Sequence, residues 1–326
     1  MFVKSFLILL FLCVTFTNTN SFGEMPEELT DTSAFAEISA EQPDTIGYGE
    51  MSVEQSMKID REMVIEQIKV MQRRESETYL VEYYFPEDTY DSDSSGESVS
   101  QITPLWREKI CEWAFQVVDH FDINRKVVAF AIKILDRYLA ETKISTKEEF
   151  QLAATTALYF AFKTQEPRRV GIEAMAELSR GKFDSKRIAE EELKIMESLE
   201  YWLNPPLEDD YLLRFMKLIN TNSSLGTPIY QNALFVTELS QHESFFITFP
   251  AASVAFAALV NAIERTYFDY YEYNHKRFRY TLKLDDDSKN QFYQNAAREF
   301  GLEIDSTEIV ELRSRLHLVN ETNTGA

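Results

Sequence analysis

The chain has 326 residues, of which 44% are apolar and only nine each are glycine and proline, so it is long enough for two domains and favours helices over a turn-rich β fold. The formal net charge is −21: residues 23–100 carry 5 basic and 20 acidic side chains, and residues 101–326 carry 27 and 34. A folded part with this negative excess is a poor match for phosphate backbones, which argues against nucleic acid as a partner.

Residues 1–22 form an apolar leader, MFVKSFLILLFLCVTFTNTNSF. Its apolar run follows one lysine, has the length of a signal-peptide core and is short for a membrane span. If the leader is removed, Cys111 is the one remaining cysteine, which favours a reducing compartment and conflicts with secretion. Three interpretations stay open: a working signal peptide, a masked apolar tail, or a translation start placed too far upstream, with Met25 or Met51 as the natural start.

Residues 23–100 are acidic, and we expect a largely disordered extension there. Within it, apolar residues recur at near-helical intervals over 51–74 and predict one helix. The stretch EDTYDSDSSGES at 87–98 has two interpretations. It is either a solvated linker or a serine cluster that is phosphorylated to control stability or docking.

From Thr103 the apolar pattern becomes regular and predicts a run of helices. Their expected ranges are 103–120, 125–142, 147–163, 169–180 and 184–200. The sequence NPP at 204–206 then ends the run, because proline cannot continue a helix. Five helices are therefore expected before the break.

The second of these helices carries Asp136 and Arg137 inside the apolar stretch ILDRYLA at 134–140. A carboxylate near a core is costly unless a cation meets it. The spacing alone leaves two alternatives, since the two side chains are either paired inside the fold or partly exposed and solvated.

The third helix, FQLAATTALYFAFK, is apolar or small on nearly every face, which is typical of a helix surrounded by others. A second such segment, FPAASVAFAALVNAIE, begins at Phe249. The two align with Ala153 on Ala251 and Ala157 on Ala255. Two central helices on either side of a Pro-Pro break predict two tandem all-α domains.

Over roughly residues 100–300 these motifs resemble the cyclin family. WREKICEWAFQVVDHFDINRKVVAFAIKILDRYLA, the third helix and EELKIMESLEYWLNPPLEDDYLLRF resemble the first cyclin box, and VTELSQHESFFITFPAASVAFAALVNAIE resembles the second. The resemblance implies two tandem five-helix boxes, which we place at 101–203 and 204–320. It also implies a non-catalytic subunit, without cofactor or small-molecule substrate, that activates a cyclin-dependent protein kinase in the nucleus and cytoplasm and so controls the cell cycle.

The family pattern assigns roles to individual positions of this sequence. Arg107 on the first helix is expected to reach Asp136 and form a structural ion pair. Lys163 and Glu192 are expected to lie together and contact the kinase backbone, and Leu152 is expected in the core of the box.

Many cyclins also bind substrates through a patch on the first helix. The matching positions here are Trp106, Ile110, Trp113 and Gln151, while Lys109 places a charge where an apolar residue is usual. That charge argues against recruitment through an Arg-x-Leu motif. As an alternative, Trp106 and Trp113 are core and rim aromatics.

Other functional classes find less support in the sequence. The histidines are scattered, and no zinc motif, Gly-rich phosphate loop or nucleophile elbow is present. The runner-up is a cyclin-fold transcription adaptor that binds nucleic acid, and a third interpretation is a secreted helical protein if the leader is a working signal.

Overall fold

The computed structural model describes residues 53–85, 102–144, 146–166, 170–273 and 276–324. The leader and the acidic stretch 87–98 lie outside these residues. Within them, no helix is long and apolar enough to cross a membrane, and no group of three or more His, Cys, Asp or Glu side chains is placed to hold a metal ion.

The first half of the described chain is helical. Its elements are α1 (Val53–Arg74), a π-helical turn (Glu75–Tyr79), α2 (Pro104–His120), α3 (Lys126–Glu141), α4 (Lys147–Gln165), α5 (Ile172–Leu178) and α6 (Ser185–Ser198). The five helices predicted between 103 and 200 are thus confirmed. Local chemistry sets their starts: Thr146 and Glu149 form a capping box on α4, and Asp184 caps α6 by accepting a hydrogen bond from the Arg187 amide.

Five more helices follow the Pro-Pro break. They are α7 (Glu208–Met216), α8 (Ser223–Ser240), α9 (Ala251–Glu264), α10 (Asp286–Phe300) and α11 (Thr307–Thr324), with a 3-10 turn at Ser244–Thr248. The all-α prediction is confirmed, with one addition. An antiparallel hairpin, β1 (Tyr267–Tyr273) and β2 (Lys276–Leu282), lies between α9 and α10 and pairs Tyr267 with Leu282. The sequence analysis missed it, although runs of Tyr and Phe favour strands.

Each half of the fold is built around one central helix. In α9 every residue except Asn261 and Glu264 is buried, and α4 is buried in the same way over most of its length. Ala153 and Ala251, which align in the sequence, are both fully buried, and Leu152 lies in the core around α4 as expected. Small side chains let the surrounding helices pack close to these two central helices.

The helix predicted at 51–74 is confirmed as α1, whereas the expectation of disorder is wrong for residues 75–85, which follow it. Val64 and Ile68 of α1 belong to the core around α9, and Tyr79, Val81 and Phe85 are also buried. The acidic average of residues 23–100 hid the buried side chains at 75–85, because composition reports the mean polarity of a segment and not which of its side chains pack against the fold.

Arg107 and Asp136 form a buried bidentate ion pair between α2 and α3. Arg107 Nε and Nη2 donate to the two carboxylate oxygens of Asp136, both at 2.8 Å, and the two residues are only 3% and 4% exposed. The third nitrogen, Nη1, donates to the Gln241 carbonyl at 2.7 Å, and the Tyr84 hydroxyl donates to Asp136 Oδ1 at 2.8 Å. The pair therefore also joins the segment before α2 and the end of α8.

Electrostatics keeps the Arg107 guanidinium charged. Burial by itself lowers the pKa of Arg107, but the charge and hydrogen bonds of Asp136 more than offset burial and raise the pKa overall. Burial, together with the charge of Asp136, also raises the pKa of the Tyr84 hydroxyl well above its ordinary value. The hydroxyl thus stays protonated and serves as a donor to the carboxylate.

Arg137 is buried as well, with a different set of partners. Its Nη1 donates to the Trp202 carbonyl, and its guanidinium lies 4.8 Å from the centroid of the Tyr79 ring. The interpretation in which Asp136 and Arg137 are exposed and solvated is therefore wrong for both residues.

The first prediction concerns the buried pair. Asp136→Ala leaves the Arg107 guanidinium buried without its counter-charge, and we expect the free energy of unfolding to fall by about 3–5 kcal/mol. Equilibrium urea unfolding followed by circular dichroism measures this loss.

Asp119 provides a matched control. It forms the same bidentate pair with Arg125, at 2.8 and 2.7 Å, but both side chains are nearly half exposed. Asp119→Ala should cost only about 0–1 kcal/mol, because solvent screens the exposed pair. Equal losses for Asp136→Ala and Asp119→Ala would show that burial does not set the strength of the Arg107 pair.

Candidate functional site

Lys163 and Glu192 lie side by side, as predicted, although 29 residues separate them. Lys163 is near the end of α4 and Glu192 is in the middle of α6. The Lys163 Nζ donates to Glu192 Oε1 at 2.6 Å and lies 5.9 Å from the centroid of the Tyr159 ring. The packing of α6 against α4 therefore creates the pair.

The two partners differ in exposure, which the sequence analysis did not anticipate. The Lys163 side chain is 48% exposed, whereas that of Glu192 is 9% exposed. Glu192 shares the buried side of α6 with Ile188 and Ile195 because these positions are spaced by four and three residues. Glu192 is thus largely inaccessible, and Lys163 is the member of the pair that solvent reaches.

The neighbouring Glu191 is also buried and paired. Its carboxylate accepts hydrogen bonds from the Tyr138 hydroxyl at 3.0 Å and from Lys194 Nζ at 2.9 Å. Burial and the charge of Glu191 raise the pKa of the Tyr138 hydroxyl, which keeps it a donor. Three consecutive acids, as in AEEELK, usually indicate a solvated face, and no local feature of the sequence indicates that two of them are buried here.

The segment that carries Glu192 also exposes large apolar side chains. Leu193, Tyr201 and Trp202 are 49%, 62% and 51% exposed, respectively. Glu200 and Tyr201 adopt left-handed backbone conformations, with φ of 50° and 62°, in the turn that follows α6. Non-glycine residues adopt this conformation at some cost, and exposed aromatic side chains are typical of interaction surfaces.

The residues proposed for substrate docking are only partly accessible. Trp106 and Ile110 are half-buried, and the Trp106 ring lies 6.1 Å from the Phe150 ring. Trp113 is a core residue, 8% exposed, whose Nε1 is buried without a hydrogen-bond acceptor. The Gln151 side-chain carbonyl accepts a hydrogen bond from Lys182 Nζ. A peptide that used Gln151 as an acceptor would have to compete with Lys182.

A family model gives the first comparison with known proteins. The cyclin N-terminal domain matches residues 66–204. The match ends close to the boundary predicted at 203, but it begins well before 101 and so includes the last part of α1 and the residues that follow it. The buried stretch before α2 is therefore part of the family domain.

Individual relatives and one solved structure agree with this match. The chain is 27% identical over 193 residues to the G2/mitotic-specific cyclin-1 of Antirrhinum majus, covering 56% of this chain and 39% of the relative. It is 26% identical over 162 residues to the G2/mitotic-specific cyclin-B3 of Drosophila melanogaster, covering 50% and 27%. The chain thus spans less than half the length of these curated relatives.

The fold is similar to that of the viral cyclin from herpesvirus saimiri, with a TM-score of 0.51 and 15% identity over 68% of this chain and 88% of that one. This likeness concerns the fold alone. The matched domain leads to one conclusion: residues 66–204 of this chain are a cyclin N-terminal domain.

Proposed function

We propose that this chain binds and activates a cyclin-dependent Ser/Thr protein kinase and so controls progression through the cell cycle. The observation that carries the proposal is the Lys163–Glu192 pair, whose two positions are expected from the family resemblance to contact the kinase. The names of the relatives, which are G2/mitotic-specific cyclins, support a role in cell division over one in transcription.

The geometry of the pair suits recognition of a kinase backbone. An ammonium group has three donors, and Glu192 takes one of them at 2.6 Å. The half-exposed end of Lys163 can therefore donate to a backbone carbonyl while Glu192 fixes its position. The exposed Leu193 and Tyr201 on the same segment offer apolar contact area.

Activation follows from selective binding and needs no chemistry by the cyclin. A kinase is active only when its catalytic Lys–Glu pair is assembled. A subunit that binds this conformation more tightly than the inactive one shifts the population toward it. The cyclin then supplies a surface, and the kinase supplies every reacting group.

The second prediction tests this surface with a double variant, Lys163→Ala/Glu192→Ala. Removing both charges leaves neither one unpaired, whereas Lys163→Ala alone strands the buried carboxylate of Glu192. Truncating a desolvated charged contact typically costs about 2–5 kcal/mol of binding free energy. We expect kinase affinity, measured by isothermal titration calorimetry, to fall at least tenfold, which corresponds to about 1.4 kcal/mol.

Lys186→Ala is the control on the same helix. Lys186 pairs with Glu190 at 3.7 Å, and both side chains are well exposed. We expect the affinity of Lys186→Ala for the kinase to differ less than about twofold from that of the wild type, since exposed pairs contribute roughly 0–1 kcal/mol. If the double variant folds, by circular dichroism, and still activates the kinase normally, the proposed kinase regulation fails while the fold assignment stands.

A separate proposal concerns recruitment of kinase substrates through the first-helix patch. Trp106 and Ile110 lie four residues apart on α2, and the exposed Lys109 is next to Ile110. A peptide with an Arg-x-Leu motif would place its leucine on the apolar part of this patch, where Lys109 adds a charge.

The third prediction is that Lys109→Ile strengthens binding of an Arg-x-Leu peptide about fivefold, because the added apolar contact contributes on the order of 1 kcal/mol. Fluorescence anisotropy of a labelled peptide measures the affinity. Lys217→Ile, an exposed position on the other half of the fold, controls for non-specific apolar binding. Equal affinities for the wild type and Lys109→Ile would show that the patch is not used.

A further inference from the structure

Residues 75–85, which we call the strap, connect the end of α1 to both halves of the fold. At its start, Glu75 is buried and its carboxylate accepts hydrogen bonds from the Ala251 amide at 2.6 Å and the Ala252 amide at 3.4 Å. The Tyr211 hydroxyl donates to the same carboxylate at 2.9 Å. Glu75 therefore caps α9, the central helix of the second half.

The far end of the strap contacts both halves. The Tyr84 hydroxyl donates to Asp136 on α3 of the first half, and Val81 and Phe85 pack against Ile247 of the 3-10 turn in the second half. The strap thus spans from α9 to the buried Arg107–Asp136 pair.

The attachment of the strap at Glu75 depends on the hydrogen bonds to its buried carboxylate. Burial raises the pKa of Glu75, and the nearby charge of Lys133 only partly counters this effect. A buried carboxylate of this kind is stable only while its donors stay aligned. A disturbance beside Glu75 should therefore open the strap before it affects the two cores.

Ser76 is exposed and immediately follows this attachment. Its Oγ donates to the Arg73 carbonyl at 2.9 Å, and both Arg73 and Arg74 are exposed. The sequence Arg73-Arg74-Glu75-Ser76 places two guanidinium groups three and two positions before a hydroxyl. Protein kinases with acidic substrate grooves can recognise such guanidinium groups through paired carboxylates.

We propose that Ser76 is a phosphorylation site for an arginine-directed Ser/Thr kinase, and that its phosphorylation releases the strap. In the reaction, Ser76 Oγ attacks the γ-phosphorus of Mg-ATP, the bond to the bridging β–γ oxygen breaks, and ADP leaves. The hydroxyl proton passes to the catalytic carboxylate of the modifying kinase. The π-helical turn Glu75–Tyr79 must open to enter that kinase, and π-helical turns are uncommon, irregular elements of a helix.

Three physical effects favour release after phosphorylation. The phosphate brings a charge of roughly −1.5 to −2 to the C-terminal end of α1, where the helix dipole is already negative. It lies beside Glu75 and Glu77 and is repelled by both carboxylates. The modified Oγ also loses the proton that it donated to the Arg73 carbonyl.

The same geometry allows the opposite outcome, in which phosphorylation tightens the strap, and the experiment below distinguishes the two. Ser76 and Arg73 border a cleft that Ser253 and Ser306 also line, near the first turns of α9 and α11. A phosphate held in this cleft would tighten the strap instead of releasing it.

The fourth prediction is tested on the purified full chain with Mg-ATP and a purified arginine-directed kinase. Mass spectrometry should find phosphate on Ser76, none at this position in Ser76→Ala, and at least tenfold less in Arg73→Ala/Arg74→Ala. Hydrogen–deuterium exchange of residues 75–85 should become at least tenfold faster after phosphorylation, and faster in Ser76→Glu to a smaller degree.

Ser314→Glu is the matched control for the added charge. Ser314 is exposed on α11, and its Oγ donates to the Val310 carbonyl at 2.9 Å, so it resembles Ser76 without touching the strap. Hydrogen–deuterium exchange of residues 75–85 in Ser314→Glu should be as fast as in the wild type. Absence of phosphate on Ser76, or phosphorylation with unchanged or slower strap exchange, would overturn the proposal. No step uses a cyclin-dependent kinase, so failure here is distinct from failure of the proposed function.

Discussion

The buried pair of Arg107 and Asp136 constrains the rest of the structure, because an unpaired charge at this depth is costly. Every nitrogen of the Arg107 side chain donates, two to Asp136 and one to the Gln241 carbonyl. All three donors of Arg107 therefore have acceptors only when α2 crosses α3 in this way and the end of α8 lies next to the pair. Since α3 packs on α4, and α4 on α6, the same constraint fixes the frame in which Lys163 and Glu192 meet.

Paired charges recur where helices of this fold meet, and the pairs differ in how far their side chains are exposed to solvent. Lys133 and Glu208 pair at 2.9 Å between the two halves, with the Glu208 side chain 4% exposed. In the Lys163 pair the carboxylate is similarly buried, but the ammonium is half exposed. A fully buried pair can only position helices. A half-exposed pair holds one charge in a fixed place while leaving it available to another protein, which is the property that the proposed kinase recognition needs.

The strap links α1 to the same buried ion pair. Tyr84 and Arg107 both donate to Asp136, so the strap and the α2–α3 crossing share one acceptor. Glu75, at the other end, holds the first turn of α9. A covalent change near Glu75 can thus alter the surroundings of the ion pair without touching either core, and this connection is the basis of the regulatory role that we propose for the strap.

The sequence by itself determined the helix at 51–74 and the five helices between 103 and 200, because apolar periodicity and capping residues act over a few residues. It also determined the two central alanine-rich helices, whereas the pairing of Asp136 with Arg107 came from the family resemblance. Only the tertiary structure decided the Gln241 and Tyr84 partners, the burial of Glu192 and of the strap, and the hairpin between α9 and α10. These features depend on which distant segments pack together, and a local sequence pattern does not specify the residue that packs against it from another helix.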